Sequence, residues 1–200
     1  LTAFYKLIKN PISRIEVASA GGYLSYENIA DKATVAGVEV EIRKNLFVRP
    51  LSSAANGMNK LSFGLNGSYI YTNAKMPLAT VTTGSQLEGA APSIANFDLS
   101  HNFTKGNHSF INTLVLNYVS DKIYTIGTQG YQDIMEQGMM TLDFVSQAKL
   151  NKYVSLTLKA RNLLNPSYKL SRKANESGEK VVLSDYKKGI NISLGVSCTF

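Results

Sequence analysis

Tryptophan, disulfides and long apolar runs are what this chain lacks. Its 200 residues include one cysteine and no tryptophan. Cys198 has no internal partner, so no disulfide holds the fold together, and it reads as a small hydrophobe rather than a redox centre. No stretch reaches the roughly 18 uncharged apolar residues of a helical membrane span. There are only two histidines, His101 and His108, flanking a turn, and both read as interfacial or turn residues. No Cys/His/Asp cluster has metal-ligand spacing. No glycine loop suits a phosphate, and no nucleophile elbow surrounds a serine. The pattern offers no catalytic, metal or cofactor residue, and an enzyme is not expected.

Charged residues make up 18% of the chain, and the formal net charge is +7. The basic residues do not form one block. They are densest from Lys169 to Lys188, where Arg172, Lys173, Lys180 and Lys187 mix with Glu176, Glu179 and Asp185. Such a segment reads as a solvated loop with its strand ends. The alternative is contact with anionic lipopolysaccharide or an anionic substrate; nucleic acid is not expected. The chain starts at Leu1 without an initiator methionine or signal peptide. Either a signal peptide has been removed or an N-terminal part is absent, and the second is the expectation.

What is present is alternation. From Ile190 to Phe200, apolar residues (Ile190, Ile192, Leu194, Val196, Cys198, Phe200) take every second position. Polar or small residues take the others, which gives a strand with one apolar and one polar face. A closing strand of an outer-membrane β-barrel has this form and ends on an aromatic. Read by period two, eight long strands follow from the sequence, at about 1–20, 23–45, 60–76, 93–104, 108–126, 138–150, 153–173 and 180–200. Pro11 suggests a break, bulge or edge in the first. The fifth is apolar on both faces near Leu114, Val115 and Leu116, so its register is ambiguous. Helix is disfavoured, because Gly37, Gly64, Gly67 and Gly195 would each cost a helix about 1 kcal/mol relative to Ala.

The connections are of two kinds. Thr104–His108 and Leu150–Tyr153 are tight turns; 77–92, 127–137 and 174–179 are longer and polar. Short turns alternating with long loops are the asymmetry of outer-membrane barrels. The segment 46–59 falls on the short-turn side despite its length. The strands read as about 15–20 residues, well above the usual 5–6 of globular sheets, as expected if they cross a bilayer and continue beyond it. A charged face has to meet water, so Glu39, Glu41, Arg43, Asp98, Asp143, Lys159 and Arg161 are expected to face a wet lumen or a plug. The soluble alternative is a β-sandwich with one wet face.

Several stretches resemble the C-terminal half of the barrel of TonB-dependent outer-membrane transporters. Asn28–Glu39 resembles that family's "N…A…GvE" strand, and Leu61–Tyr69 the strand after it. Leu87–Pro92 resembles its re-entry after a long extracellular loop. Ala160–Asn165 is similar to its "NLLN" element, and Gly189–Phe200 to its last strand, with Cys198 where the family often has Tyr. No single motif is specific, but the ordered set spans nearly the whole chain. The resemblance implies an all-β, antiparallel transmembrane barrel segment over residues 1–200, about the last eight of some 22 strands, with no second domain and the plug absent from this chain. It also implies import of a scarce or bulky nutrient (siderophore-bound iron, a cobalamin, a glycan or a peptide), driven through TonB acting on that plug. Implied partners are outer-membrane lipid and lipopolysaccharide, the remaining barrel and plug, and TonB; whether a surface lipoprotein accompanies the barrel is left open by the sequence.

In this frame Tyr124, Gln129, Tyr131 and Tyr186 are candidate ligand contacts on extracellular loops; the competing role is loop packing or an interface belt. Phe200 is the candidate assembly signal. Asn162 and Asn165 are expected to support strand geometry. The competing architecture is a free-standing eight-stranded structural or adhesive barrel.

Overall fold

In a computed structural model, described over residues 1–17, 22–51, 57–75, 86–128, 130–174 and 178–199, the chain is all-β. The described residues form fourteen strands: β1 (Thr2–Lys9), β2 (Ile12–Glu16), β3 (Leu24–Asn28), β4 (Lys32–Pro50), β5 (Met58–Ala74), β6 (Ser93–Lys105), β7 (His108–Val119), β8 (Lys122–Thr125), β9 (Ile134–Glu136), β10 (Met139–Lys149), β11 (Val154–Arg161), β12 (Ser167–Lys173), β13 (Lys180–Lys187) and β14 (Asn191–Cys198). Eight of them form one antiparallel sheet in the order β1-β4-β5-β6-β7-β10-β11-β14. Every neighbour in that sheet is the next main-sheet strand in the sequence, so it is an up-and-down meander. β1 pairs only with β4 and β14 only with β11. Among the described residues no ladder joins β1 to β14, so the sheet does not close on itself as a free-standing small barrel must.

Five of the eight expected strands are each two. Segment 1–20 divides at Asn10, whose φ is 49°, and at Pro11, which has no N–H to donate. Segment 23–45 divides between β3 and β4, and β4 then runs on to Pro50. Segment 108–126 divides into β7 and β8. The last two divide at an elbow where Asn162 and Asn165 take φ of 59° and 45° and Gly189 takes 82°. Only β4 and β5, at 19 and 17 residues, have the expected length; β11 and β14 have 8 each, close to the 9–11 a tilted strand needs to cross a bilayer. The segment 127–137, read as loop, contains β9.

The pieces that break away build a cap at one end of the sheet. A four-stranded sheet, β13-β12-β9-β8, stands beside the β2–β3 hairpin. The two are joined where Ile15 bridges Ile126, Ile126 N–H donates to Arg14 O at 3.0 Å and Glu16 N–H to Ile126 O at 3.3 Å. The hydrophobic core cluster lies at this end: Ile15, Ile29, Ala30, Ala33, Ala74, Ile123 and Ile126 pack together. At the other end are the tight turns. Gly106 is at φ 59° between β6 and β7, and Asn151 Oδ1 accepts from the N–H groups of Tyr153 and Val154, both at 2.8 Å.

The "NLLN" element is the joint between sheet and cap. Asn162 N–H donates to Asp143 Oδ1 at 2.8 Å and its side-chain amide donates to Gly189 O at 2.7 Å; Gly189 N–H donates to Asn165 Oδ1 at 3.1 Å. Asparagine tolerates the left-handed backbone that most residues avoid, and its short amide reaches across the elbow. Asn162→Ala removes both advantages, and we expect it to cost about 1–2 kcal/mol. Thermal unfolding of the intact barrel, followed by its heat-modifiable gel mobility, checks this; an unchanged midpoint contradicts it.

Candidate functional site

The ladder register divides the main sheet into a polar and an apolar face. On the polar face Arg43 lies opposite Gly64, Gly64 opposite Asp98, Asp98 opposite Val115 and Val115 opposite Asp143. The neighbouring row is Glu41, Asn66, Asn96, Asn117 and Thr141. Another runs Asn45, Ser62, Ser100, Thr113, Val145, Lys159 and Ser193. Glu39 and Arg161 follow by the period of two. All seven charged residues singled out from the sequence therefore share one face.

Hydrogen bonds knit that face. Asn96 donates to Asn66 at 2.7 Å, Asn117 to Thr141 at 3.3 Å, and Ser100 and Thr113 share a bond at 3.1 Å. Among the seven charges only Glu41 and Arg43 pair, at 2.6 Å. A Cβ at Gly64 would collide with the Asp98 carboxylate, so the missing side chain makes room for that charge.

On the apolar face, one row is Ile42, Leu65, Phe97, Leu116 and Leu142; the next is Lys44, Phe63, Leu99, Leu114, Phe144, Ala160 and Ile192. The ambiguity in β7 is resolved: Leu114 and Leu116 join this face and Val115 the other. The apolar side chains are open. Val38 is 45% exposed, Leu65 41% and Leu194 71%. An apolar sheet face this large and this uncovered requires a non-aqueous neighbour. His101 lies on the same side and bonds Asn59 Oδ1 through Nε2 at 2.8 Å.

The aromatics expected on loops sit in the cap, Tyr124 on β8, Tyr186 on β13 and Tyr131 between β8 and β9. The Arg14 guanidinium lies 4.2 Å from the Tyr124 ring centroid, and Arg172 lies 5.3 Å from that of Tyr131. Tyr186 packs on Tyr168 at 5.1 Å. Gln129 and Phe200 lie outside the described residues. Sequence reading missed what organises this end: Arg14 binds Glu88 at 3.1 Å, Lys122 binds Glu136 at 3.2 Å, Lys169 binds Asp185 at 3.2 Å and Arg172 binds Glu16. Glu16 and Arg172 are 156 positions apart, and no local spacing signals such a pair.

A protein-family model described as "TonB dependent receptor-like, beta-barrel" matches residues 1–163. The chain belongs to this family. No curated protein and no solved structure matches it. The matched span takes in β1 to β11 of this receptor barrel, and β14 is tied to it by eight register pairs with β11, from Val154↔Cys198 to Arg161↔Asn191. TonB-dependent receptors are outer-membrane transport proteins, and the outer membrane supplies the non-aqueous neighbour that the apolar face requires. No helix among the described residues of the receptor barrel is long and apolar enough to cross a membrane; such barrels cross with strands.

Tyr168, in the cap of the receptor, is held neutral. Burial, then the carboxylate of Glu136, which accepts its O–H at 3.2 Å, push its pKa up to about 12. Because the folded value lies above the ordinary one near 10, this contribution to stability is fully present below pH 10. It is lost as pH rises from about 10 through about 12. The difference between wild-type and Tyr168→Phe phenolate absorbance is expected to titrate near the upper end of that window; a midpoint at 10 contradicts it.

Proposed function

We propose that this chain is part of the wall of a transporter that imports a scarce or bulky nutrient across the outer membrane of a gram-negative bacterium. The candidate cargoes are siderophore-bound iron, a cobalamin, a glycan or a peptide. The polar face lines the lumen, and Glu39, Glu41, Arg43, Asp98, Asp143, Lys159 and Arg161 meet water or the plug there. The observation that carries this reading is the register, which gathers those charges on one face and leaves the other apolar and uncovered. Energy reaches the plug from the inner-membrane proton gradient through TonB. The free edges of β1 and β14 carry backbone groups that a bilayer cannot satisfy, so further strands of the same barrel complete them. Chemistry is not part of the role.

With short turns on the periplasmic side, the cap is extracellular. It meets lipopolysaccharide at its basic rim and the nutrient through Tyr124, Gln129, Tyr131 and Tyr186, of which Tyr131 and Tyr186 have the more open rings. Phe200 serves the assembly machinery, and its deletion is expected to lower the amount of folded barrel in the outer membrane several-fold; unchanged levels defeat that role. The transport reading is tested by deleting the gene and measuring uptake of each cargo class with and without an uncoupler. Loss of energised uptake of one class supports it. Uptake of all classes unchanged by the deletion overturns it.

A further inference from the structure

At the junction of sheet and cap, on the polar side, lies a hollow of about 390 Å³. This is within the 300–1,000 Å³ typical of small-molecule sites. Met139, Pro166 and Tyr168 give it an apolar lining, and Arg161 and Lys188 stand on its rim. A second hollow of about 180 Å³ shares Met139, Tyr168 and Lys188 with it, so the two adjoin.

The charge balance around it is uneven. Asp143 also lines the hollow, its carboxylate accepting the Asn162 N–H, so the lining holds two cations against one carboxylate. Glu136, in the adjoining hollow, is taken by Lys122 at 3.2 Å and by the Tyr168 hydroxyl at 3.2 Å. Arg161 and Lys188 have no ion-pair partner among the described residues. Lys188 instead sits 5.3 Å over the Tyr168 ring, which spreads cationic potential across the apolar floor. Tyr168 stays a neutral phenol at physiological pH and does not repel an anion.

We infer that this hollow is a ligand subsite for an organic anion with an aromatic or apolar body. Arg161 and Lys188 hold the oxyanion, and Met139, Pro166 and the Tyr168 ring take the body. The fork of Arg161 suits a carboxylate or phosphate oxygen pair. The inference rests on the polar face being the lumen, and it narrows the cargo to an anion-bearing class.

The test uses the full-length receptor purified from outer membranes, with 2-naphthoate and its neutral counterpart 2-naphthylmethanol as probes in calorimetry. The expected result is that naphthoate binds at least about tenfold more tightly, as one charge-assisted contact gives. R161Q/K188Q is expected to abolish that preference while the neutral probe binds as before. Lys188 is exposed, so K188Q alone, which removes part of the preference, serves if the double variant does not fold. Equal affinities for the two probes, or a preference unchanged in the variants, overturns the inference. Failure here leaves a receptor that still imports its nutrient, whereas failure of the transport reading shows as uptake unaffected by gene deletion.

Discussion

Leu114→Arg is expected to destabilise the barrel in a bilayer by about 2–4 kcal/mol, whereas Val115→Arg, one residue along β7, is expected to change stability by less than about 1 kcal/mol. The two positions are adjacent and similarly apolar, yet they belong to opposite faces. Leu114 sits between Leu99 and Phe144, in the apolar row. An arginine there loses its hydration to lipid. Val115 sits between Asp98 and Asp143, so an arginine at this point gains two carboxylate neighbours in water. Denaturant unfolding of the intact receptor in phospholipid vesicles measures both. Equal costs, or the reverse order, contradicts the assignment of faces.

Arg172→Met is expected to loosen the cap by about 3 kcal/mol. Arg172 and Glu16 have side chains only 17% and 16% exposed, so screening by water is limited. Removing the guanidinium leaves a mostly buried carboxylate without its cation, on the strand that joins the β2–β3 hairpin to β8. Glu16 is also fixed through its backbone, since its carbonyl accepts the Thr128 hydroxyl. The hairpin therefore opens as a unit. Hydrogen exchange at Glu16 and Ile126, whose N–H groups form the junction, is expected to rise about a hundredfold. The double variant Glu16→Gln/Arg172→Met removes the stranded charge and is expected to recover most of the protection. Equal exchange in the single variant and wild type refutes this strap.

The main sheet was legible in the sequence because alternation along a strand is a local signal. Val38, Val40 and Ile42 against Glu39, Glu41 and Arg43 already fixed a face. Ladder pairing with β5 through β10 then transmitted that parity to residues whose own pattern was equivocal, such as Val115. The seven charges now proposed to line the lumen were found for the same reason. Strand continuity was less legible. Pro11 gave a hint of a break, but the elbow at Asn162, Asn165 and Gly189 was hidden inside alternating runs, because left-handed φ leaves no trace in hydropathy. The cap was illegible. Its ion pairs, Arg14 with Glu88 and Glu16 with Arg172, join residues 74 and 156 positions apart, and nothing in the local pattern signals that the same two arginines lie over the Tyr124 and Tyr131 rings.

The proposed transport role turns one face of this sheet to a lumen and the other to lipid. Spin labels placed one at a time along β6 in the full-length receptor, in lipid bilayers, test it most directly. Labels at Phe97 and Leu99 should collide preferentially with oxygen, which concentrates in lipid. Labels at Asp98 and Ser100 should collide preferentially with a water-soluble nickel chelate, out of phase with oxygen and with a period of two. Accessibility without that period, or with the phases exchanged, would contradict the placement of this sheet in the wall of a TonB-dependent receptor barrel.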